Sequence, residues 1–306
     1  MISENVTNWL GYPVKLFNPD EKITDYRNTI YRLAVDWDSD LTVVDLFEKF
    51  LADPASAETP AIIFGLFGEH DDTSEPIVQA LVDARDRLPK LKGIFLGDII
   101  SEENEISWIN QSDVSPIFQA FPALEHFRVR GNEGLSLGQI EHESLKSLII
   151  ETGGLSLEVI QDVLDSDLPA LEHLELWLGD DGYGWDGSIE DLEPLLDGGL
   201  FPNLKSLGLR DSVIQDDIAV AVSKASIVRQ LEVLDLSLGT LTDVGGQALL
   251  DSPELKSLRK LDLHHHFLST DMVNRLRNSG LNVNLDDQQK VEVYNGEEYR
   301  YVAVSE

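Results

Sequence analysis

Two clusters of side chains in this 306-residue sequence have the types needed for metal or acid–base chemistry. His264-His265-His266 is an internal triplet, and imidazoles ligate transition metals. Successive side chains of an extended segment face opposite ways, so only His264 shares a face with Asp262. With Asp235 it would make a set of two carboxylates and one imidazole, a candidate metal or small-molecule site. Asp180, Asp181 and Asp186 lie among Gly182 and Gly187 and offer the oxygen ligands calcium takes. They do not fit the D-x-[DN]-x-[DN]-G loop that ends on a bidentate Glu. No phosphate-cradling glycine loop, nucleophile elbow or H-E-x-x-H helix is present. A chain with 56 Asp and Glu has carboxylate pairs everywhere, so no pair singles itself out for acid–base work. The chain has no cysteine, which removes disulfides, thiolate metal sites and cysteine nucleophiles. The expectation is a non-enzymatic protein without catalytic residues, cofactor or resident metal.

Charge narrows the partners. Lys and Arg number 23, so the net charge is −33. A phosphate backbone or an anionic membrane surface would be repelled, and a basic protein attracted. Hydrophobic content of 42% is enough for a core. Met1 to Leu10 is polar and acidic, unlike a signal peptide, and the apolar run Pro60 to Phe67 is too short to span a bilayer. These features point to a soluble, cytoplasmic protein.

What positions these side chains is a repeat. Leu88-Pro-Lys-Leu-Lys-Gly-Ile-Phe-Leu96, Phe121-Pro-Ala-Leu-Glu-His-Phe-Arg-Val129, Leu168-Pro-Ala-Leu-Glu-His-Leu-Glu-Leu176 and Phe201-Pro-Asn-Leu-Lys-Ser-Leu-Gly-Leu209 are copies of one segment. Shorter copies start at Leu145, Leu231 and Leu258, with weaker ones near Ile30, Ala61 and Leu281. All fit L-x-x-L-x-L, at intervals of 21 to 33 residues with a mean of about 28. Between them lie helical patterns, apolar at three-to-four spacing, over 75–88, 156–164 and 216–228. Ser156, Asp216, Thr242 and Ser269 stand where they can cap helices. One strand and one helix cannot bury their apolar faces alone; stacked units can. The predicted fold is therefore an α/β solenoid of about ten repeats, a horseshoe with a parallel sheet on the concave face and helices on the convex face. Ten strands at about 4.8 Å spacing give an inner arc of roughly 45 Å. The solenoid is expected over residues 30–286, after a cap segment 1–29. Alternating residues around Asn295-Gly296 predict a β-hairpin within a C-terminal cap 287–306, covering the sheet edge.

This pattern resembles the ribonuclease-inhibitor-like class of leucine-rich repeats, and the ending Arg300-Tyr-Val-Ala-Val-Ser-Glu306 is similar to that of an uncharacterised bacterial leucine-rich-repeat family. The Asn that such repeats place eight positions after the first Leu occurs only as Asn132, so the turns must satisfy their backbone groups in another way. The resemblance implies the fold and leaves function open.

The non-leucine positions of each strand should face the groove. They divide into three zones: Phe67 and Phe95 near the N-terminus; Arg128, Arg130 and Arg210 around Glu151, His173, Glu175 and Trp177 in the middle; Asp235, Asp262 and His264 toward the C-terminus. Two long strand-to-helix loops, 97–113 with Trp108 and 178–190 with Tyr183 and Trp185, leave the same rim. Arg and aromatic residues are the usual anchors of protein interfaces. The expected function is a protein-interaction module binding a basic protein through the concave face and the aromatic, acidic rim. The alternatives are a regulatory factor, such as a GTPase activator, enzyme inhibitor or immunity protein, and a metal or small-molecule binder at the C-terminal end of the groove.

Overall fold

The computed structural model describes residues 1–23, 25–36, 39–68 and 72–306. Twelve strands form one sheet in chain order: β1 (Asn8–Trp9), β2 (Tyr12–Leu16), β3 (Ile30–Leu33), β4 (Ala61–Phe64), β5 (Gly93–Leu96), β6 (His126–Arg130), β7 (Ser147–Glu151), β8 (His173–Gly179), β9 (Ser206–Ser212), β10 (Val233–Asp235), β11 (Lys260–Asp262) and β12 (Val283–Asn284). From β2 onward every pairing is parallel. The helices are α1 (Val43–Leu51), α2 (Glu75–Asp83), α3 (Ser115–Ala120), α4 (Leu157–Leu164), α5 (Ile189–Leu196), α6 (Gln215–Val222), α7 (Asp243–Asp251) and α8 (Thr270–Arg277). The chain is a leucine-rich-repeat-like α/β solenoid. Among the described residues no helix is long and apolar enough to cross a membrane.

The ten expected strands form at or within two residues of the ten repeat starts, and in the two weak N-terminal copies the register is shifted: Leu33 and Phe64, the expected second apolar residues, align with Leu96, the third, so that Ile62 takes the second position. Ile62, Ile94, Phe127, Leu148, Leu174, Leu207, Leu234, Leu261 and Val283 are successive cross-strand partners. All but Val283 are buried between sheet and helices. The 21-residue interval is the one without an α-helix: β6 runs to β7 through a loop that bridges to its neighbours at Asn110↔Glu133 and Asp113↔Ser136.

Capping fixes where helices begin. Ser156, Thr242 and Ser269 accept from the backbone N–H of Val159, Val244 and Met272, each worth about 1 kcal/mol. Asp216 differs from expectation: it lies inside α6, and its carboxylate crosses to the next repeat to accept from Thr242 N–H, Thr242 Oγ1 and Gly245 N–H. Asp243 reaches Ser269 N–H of the next repeat in the same manner, and Asp186 reaches back to Leu157 N–H of the preceding one. Part of the acidic excess thus sits at helix N-termini, where the macrodipole favours it. Turns without the Asn use other side chains: Gln111 donates to Arg130 O, Thr152 to Trp177 O and Gln215 to Leu209 O.

A second regularity lies one residue before each strand. Lys92, Glu125, Lys146, Glu172, Lys205, Glu232 and Arg259 alternate in sign over seven consecutive repeats. Ion pairs of 2.6–3.1 Å join Glu125 to Lys92 and Lys146, Lys205 to Glu172, and Arg259 to Glu232. Exposed pairs add little stability each. Pairing that skipped one repeat would set like charges side by side, so the ladder also opposes that mispairing.

At the two ends the chain departs from the repeat. The segment before Ile30 contributes β1 and β2 to the sheet, and its side chains fold over the inner face. Val6, Trp9 and Leu10 pack on a second apolar cluster of Ile30, Ala61, Ile63 and Phe95. The hairpin of β13 (Glu292–Tyr294) and β14 (Glu297–Tyr299) forms around Asn295 (φ 52°) and Gly296 (φ 87°), the left-handed pair of a type I′ turn. It stays a separate two-stranded sheet, and the edge of the main sheet is the two-residue β12. Beyond it the chain turns back along the rim at the strands' C-terminal ends. Ala303 N–H donates to Leu238 O and Val304 N–H to the Asp211 carboxylate, while Ser107 Oγ donates to Ser305 O.

Candidate interaction surface

The inner face carries a charged stripe that sequence alternation placed correctly by row but not by exposure. In register, Phe95, Arg128, Ile149, Glu175, Gly208, Asp235 and Asp262 are cross-strand neighbours along one row. One step toward the rim, Arg130 pairs with Glu151 and Trp177 with Arg210. Five residues of the expected groove rows are buried, Asp262 among them at 4% exposed. Phe95 is fully covered, lying 6.1 Å from Trp9 with Arg128 stacked at 4.3 Å. Arg130 and Glu151 are 2% and 1% exposed, and Trp177, at 6%, lies under Arg210 at 4.9 Å. The cause is mutual: long guanidinium stems lie over the rings and the N-terminal segment fills the remaining space. Phe67 is not in the groove at all. Strand β4 ends at Phe64, so alternation stops there, and Phe67 packs in the main core. Trp185 is likewise in the main core, 4% exposed, rather than on the rim surface.

The buried charges form a chain of alternating sign. Arg32 reaches Asp98 at 3.0 Å and Glu103 at 3.2 Å; Asp98 lies 3.7 Å from Arg130; Glu151 takes Arg130 Nε at 2.8 Å and Arg128 Nη2 at 2.5 Å. Burial opposes ionisation of Glu151, but the two guanidiniums outweigh it and hold its carboxyl below the usual range. At Asp98 burial prevails over Arg130 and Arg32, and its carboxyl is raised. Glu175 is a second hub. It accepts from Arg210 Nη1 at 2.6 Å and Trp177 Nε1 at 2.7 Å, with His173 at 3.5 Å. Burial resists ionisation there too, yet His173, Arg210 and Trp177 depress its carboxyl strongly.

At the C-terminal end, Asp262 binds His264 Nδ1 at 2.8 Å, Lys260 at 2.7 Å and Asn284 Nδ2 at 2.9 Å. Asp235 turns to Ser237 N–H at 3.0 Å and lies 3.5 Å from Arg210. Asp262 and His264 are thus paired with each other, while Asp235 is committed to Ser237 and Arg210. Among the described residues no group of three His, Asp or Glu side chains is arranged to hold a metal ion. His265 adopts φ 56°, which ends the alternation, and His266 is fully buried with Nε2 3.3 Å from Leu285 O.

The rim carries a hollow. Loops 97–113 and 178–190 meet in a cleft of about 500 Å³, lined by Ser107, Trp108, Asn110, Asn132, Glu133 and Tyr183. Trp108 is 52% exposed. Gly179 (φ 77°) holds the second loop in place, because a Cβ there would collide with Gly153 O. Asn132 Nδ2 donates to Tyr183 O at 3.2 Å, and its buried Oδ1 has no partner. The Tyr183 hydroxyl bonds Glu306, so the chain's last residues border the cleft. Sequence patterning found both loops but not Trp108, Asn110, Asn132 and Glu133 as one lining. The available signal was Trp108 itself, a large aromatic outside any apolar period.

No protein-family model and no curated protein matches the chain. Among solved structures it is similar to a Bacteroides fragilis protein from a structural genomics programme, with 34% identity, a TM-score of 0.81, and coverage of 90% of this chain and 76% of that one. At that identity over that share of both chains, the chain belongs to the same family as this Bacteroides fragilis protein.

Proposed function

We propose that this chain is a non-enzymatic, cytoplasmic leucine-rich-repeat protein that binds a basic protein partner. The rim cleft carries the proposal: an open hollow with a half-exposed Trp108 beside Tyr183 and Glu133, on a chain of net charge −33. An exposed indole beside carboxylates suits a surface that is both cationic and partly apolar. The open stretch of groove adjoins it through His173, Glu175, Arg210, Asp235 and His264. Their charges already have partners, so this stretch acts by shape and fixed dipoles more than by free charge.

The test is affinity capture from a native lysate with low-salt and then high-salt washes, comparing the parent with Trp108→Ala/Tyr183→Ala. One basic protein retained at low salt, released at high salt and lost with the double variant is the expected result. If the variant captures the same proteins as the parent, the rim is not the interface. If what is captured is acidic or survives the high-salt wash, the charge argument fails.

A further inference from the structure

The C-terminal hairpin is exposed on both strands, which pair only with each other. The cross-strand pairs Glu292↔Tyr299 and Tyr294↔Glu297 share one face, and Val293↔Glu298 the other. Tyr301 lies two residues past the end of this strand, beside Tyr299. Its ring and that of Tyr299 stand nearly parallel, 11° between planes and 6.5 Å between centroids. Tyr299 and Tyr301 are 37% and 56% exposed.

The two near-parallel rings make a shallow aromatic slot open to solvent, and a guanidinium stacked on a ring face there would lie inside cation–π range. An ammonium is neither planar nor able to stack. Glu297 stands at the edge of the slot, its Oε2 accepting from the Tyr299 hydroxyl at 2.9 Å, and supplies a countercharge. The slot is also held in place: Val302 is buried, Ala303 N–H donates to Leu238 O, and Tyr301 O lies 3.3 Å from His265 Nε2. The local sequence 286–300 has five acidic and two basic residues, which favours a cationic occupant.

We propose that Tyr299, Tyr301 and Glu297 form a slot for an arginine guanidinium presented by a basic partner. This rests on the reading of the partner as basic and adds a side-chain preference and a second point of attachment.

The test uses the full chain with hexa-arginine and hexa-lysine peptides, equal in charge, titrated by calorimetry at one ionic strength. The parent is expected to bind hexa-arginine about tenfold more tightly than hexa-lysine. Tyr299→Ala/Tyr301→Ala should bind the two peptides equally, with an unchanged melting temperature because both rings lie outside the core. Tyr299→Phe should keep most of the preference, since the ring remains. Equal binding of both peptides by the parent would overturn the slot and leave the wider reading standing. An arginine preference that survives the double tyrosine variant but is lost in Trp108→Ala/Tyr183→Ala would move recognition to the rim cleft and overturn the slot as well.

Discussion

Replacing Glu151 by Gln isolates the chain of buried charges beneath the inner face. Glu151 is 1% exposed and faces two guanidiniums, Arg130 at 2.8 Å and Arg128 at 2.5 Å. Without its charge, Arg32, Arg130 and Arg128 share only Asp98 and Glu103. Breaking a buried ion pair by removing one partner costs about 3–5 kcal/mol. The Gln carbonyl still accepts one bond, and the Arg128 side chain, 18% exposed, regains some water, so the expected cost is about 3 kcal/mol. On a chain of this size that lowers Tm by about 5 °C. The assay is a thermal melt with a urea titration as cross-check, run beside Glu125→Gln from the exposed ladder, where the loss should stay within about 1 kcal/mol. Changing both Arg128 to Met and Glu151 to Leu should recover much of the loss, because Arg130 keeps Asp98 and Ile99 O. The pH dependence has a definite sign. The folded carboxyl of Glu151 lies below its unfolded value of about 4.3, so its contribution is complete above that pH and is lost as pH falls through the folded value. The gap between parent and Glu151→Gln should therefore be full at neutral pH and narrow below about pH 4. A Glu151→Gln variant that melts with the parent, or no more weakly than Glu125→Gln, would refute the claim that this network is buried and coupled.

Three further outcomes are expected. Leu174→Asp places an unpaired charge at a fully buried position between repeats and should abolish cooperative unfolding, read as a broadened melt by circular dichroism. Asp216→Ala removes three bonds to the next repeat and should cost about 1–2 kcal/mol, with amide exchange rising at the start of α7 before it rises in β9. Lys146→Glu sets three acids side by side at 125, 146 and 172 and should destabilise by about 0.5–1 kcal/mol, a loss that shrinks in 1 M salt.

The sequence alone determined the solenoid. A leucine period near 28 residues leaves one way to bury every strand and helix, and each repeat contacts only its neighbours, so local pattern is nearly the whole of the fold. The strand starts at Ile30 through Leu281 and the caps at Ser156, Thr242 and Ser269 follow from that period and from the side-chain oxygens beside it. The ladder of Lys92 to Arg259 was also legible, since its sign alternates at one fixed repeat position. Alternation gave the row of each inner-face residue but not its exposure. Exposure depends on what lies across the row, and for Phe95 that is Trp9, 86 positions away in sequence. Phe67 left the expected groove because alternation holds only within β4, which ends at Phe64, and Trp185, expected on the rim loop, folds into the main core instead. The meeting of Trp108 with Tyr183, the pairing of Arg32 with Asp98 and the return of Val304 to Asp211 all join segments that share no period. Only the stacking of the repeats brings them within reach, because the rise and curvature of the solenoid, rather than any local pattern, set which loops share a rim.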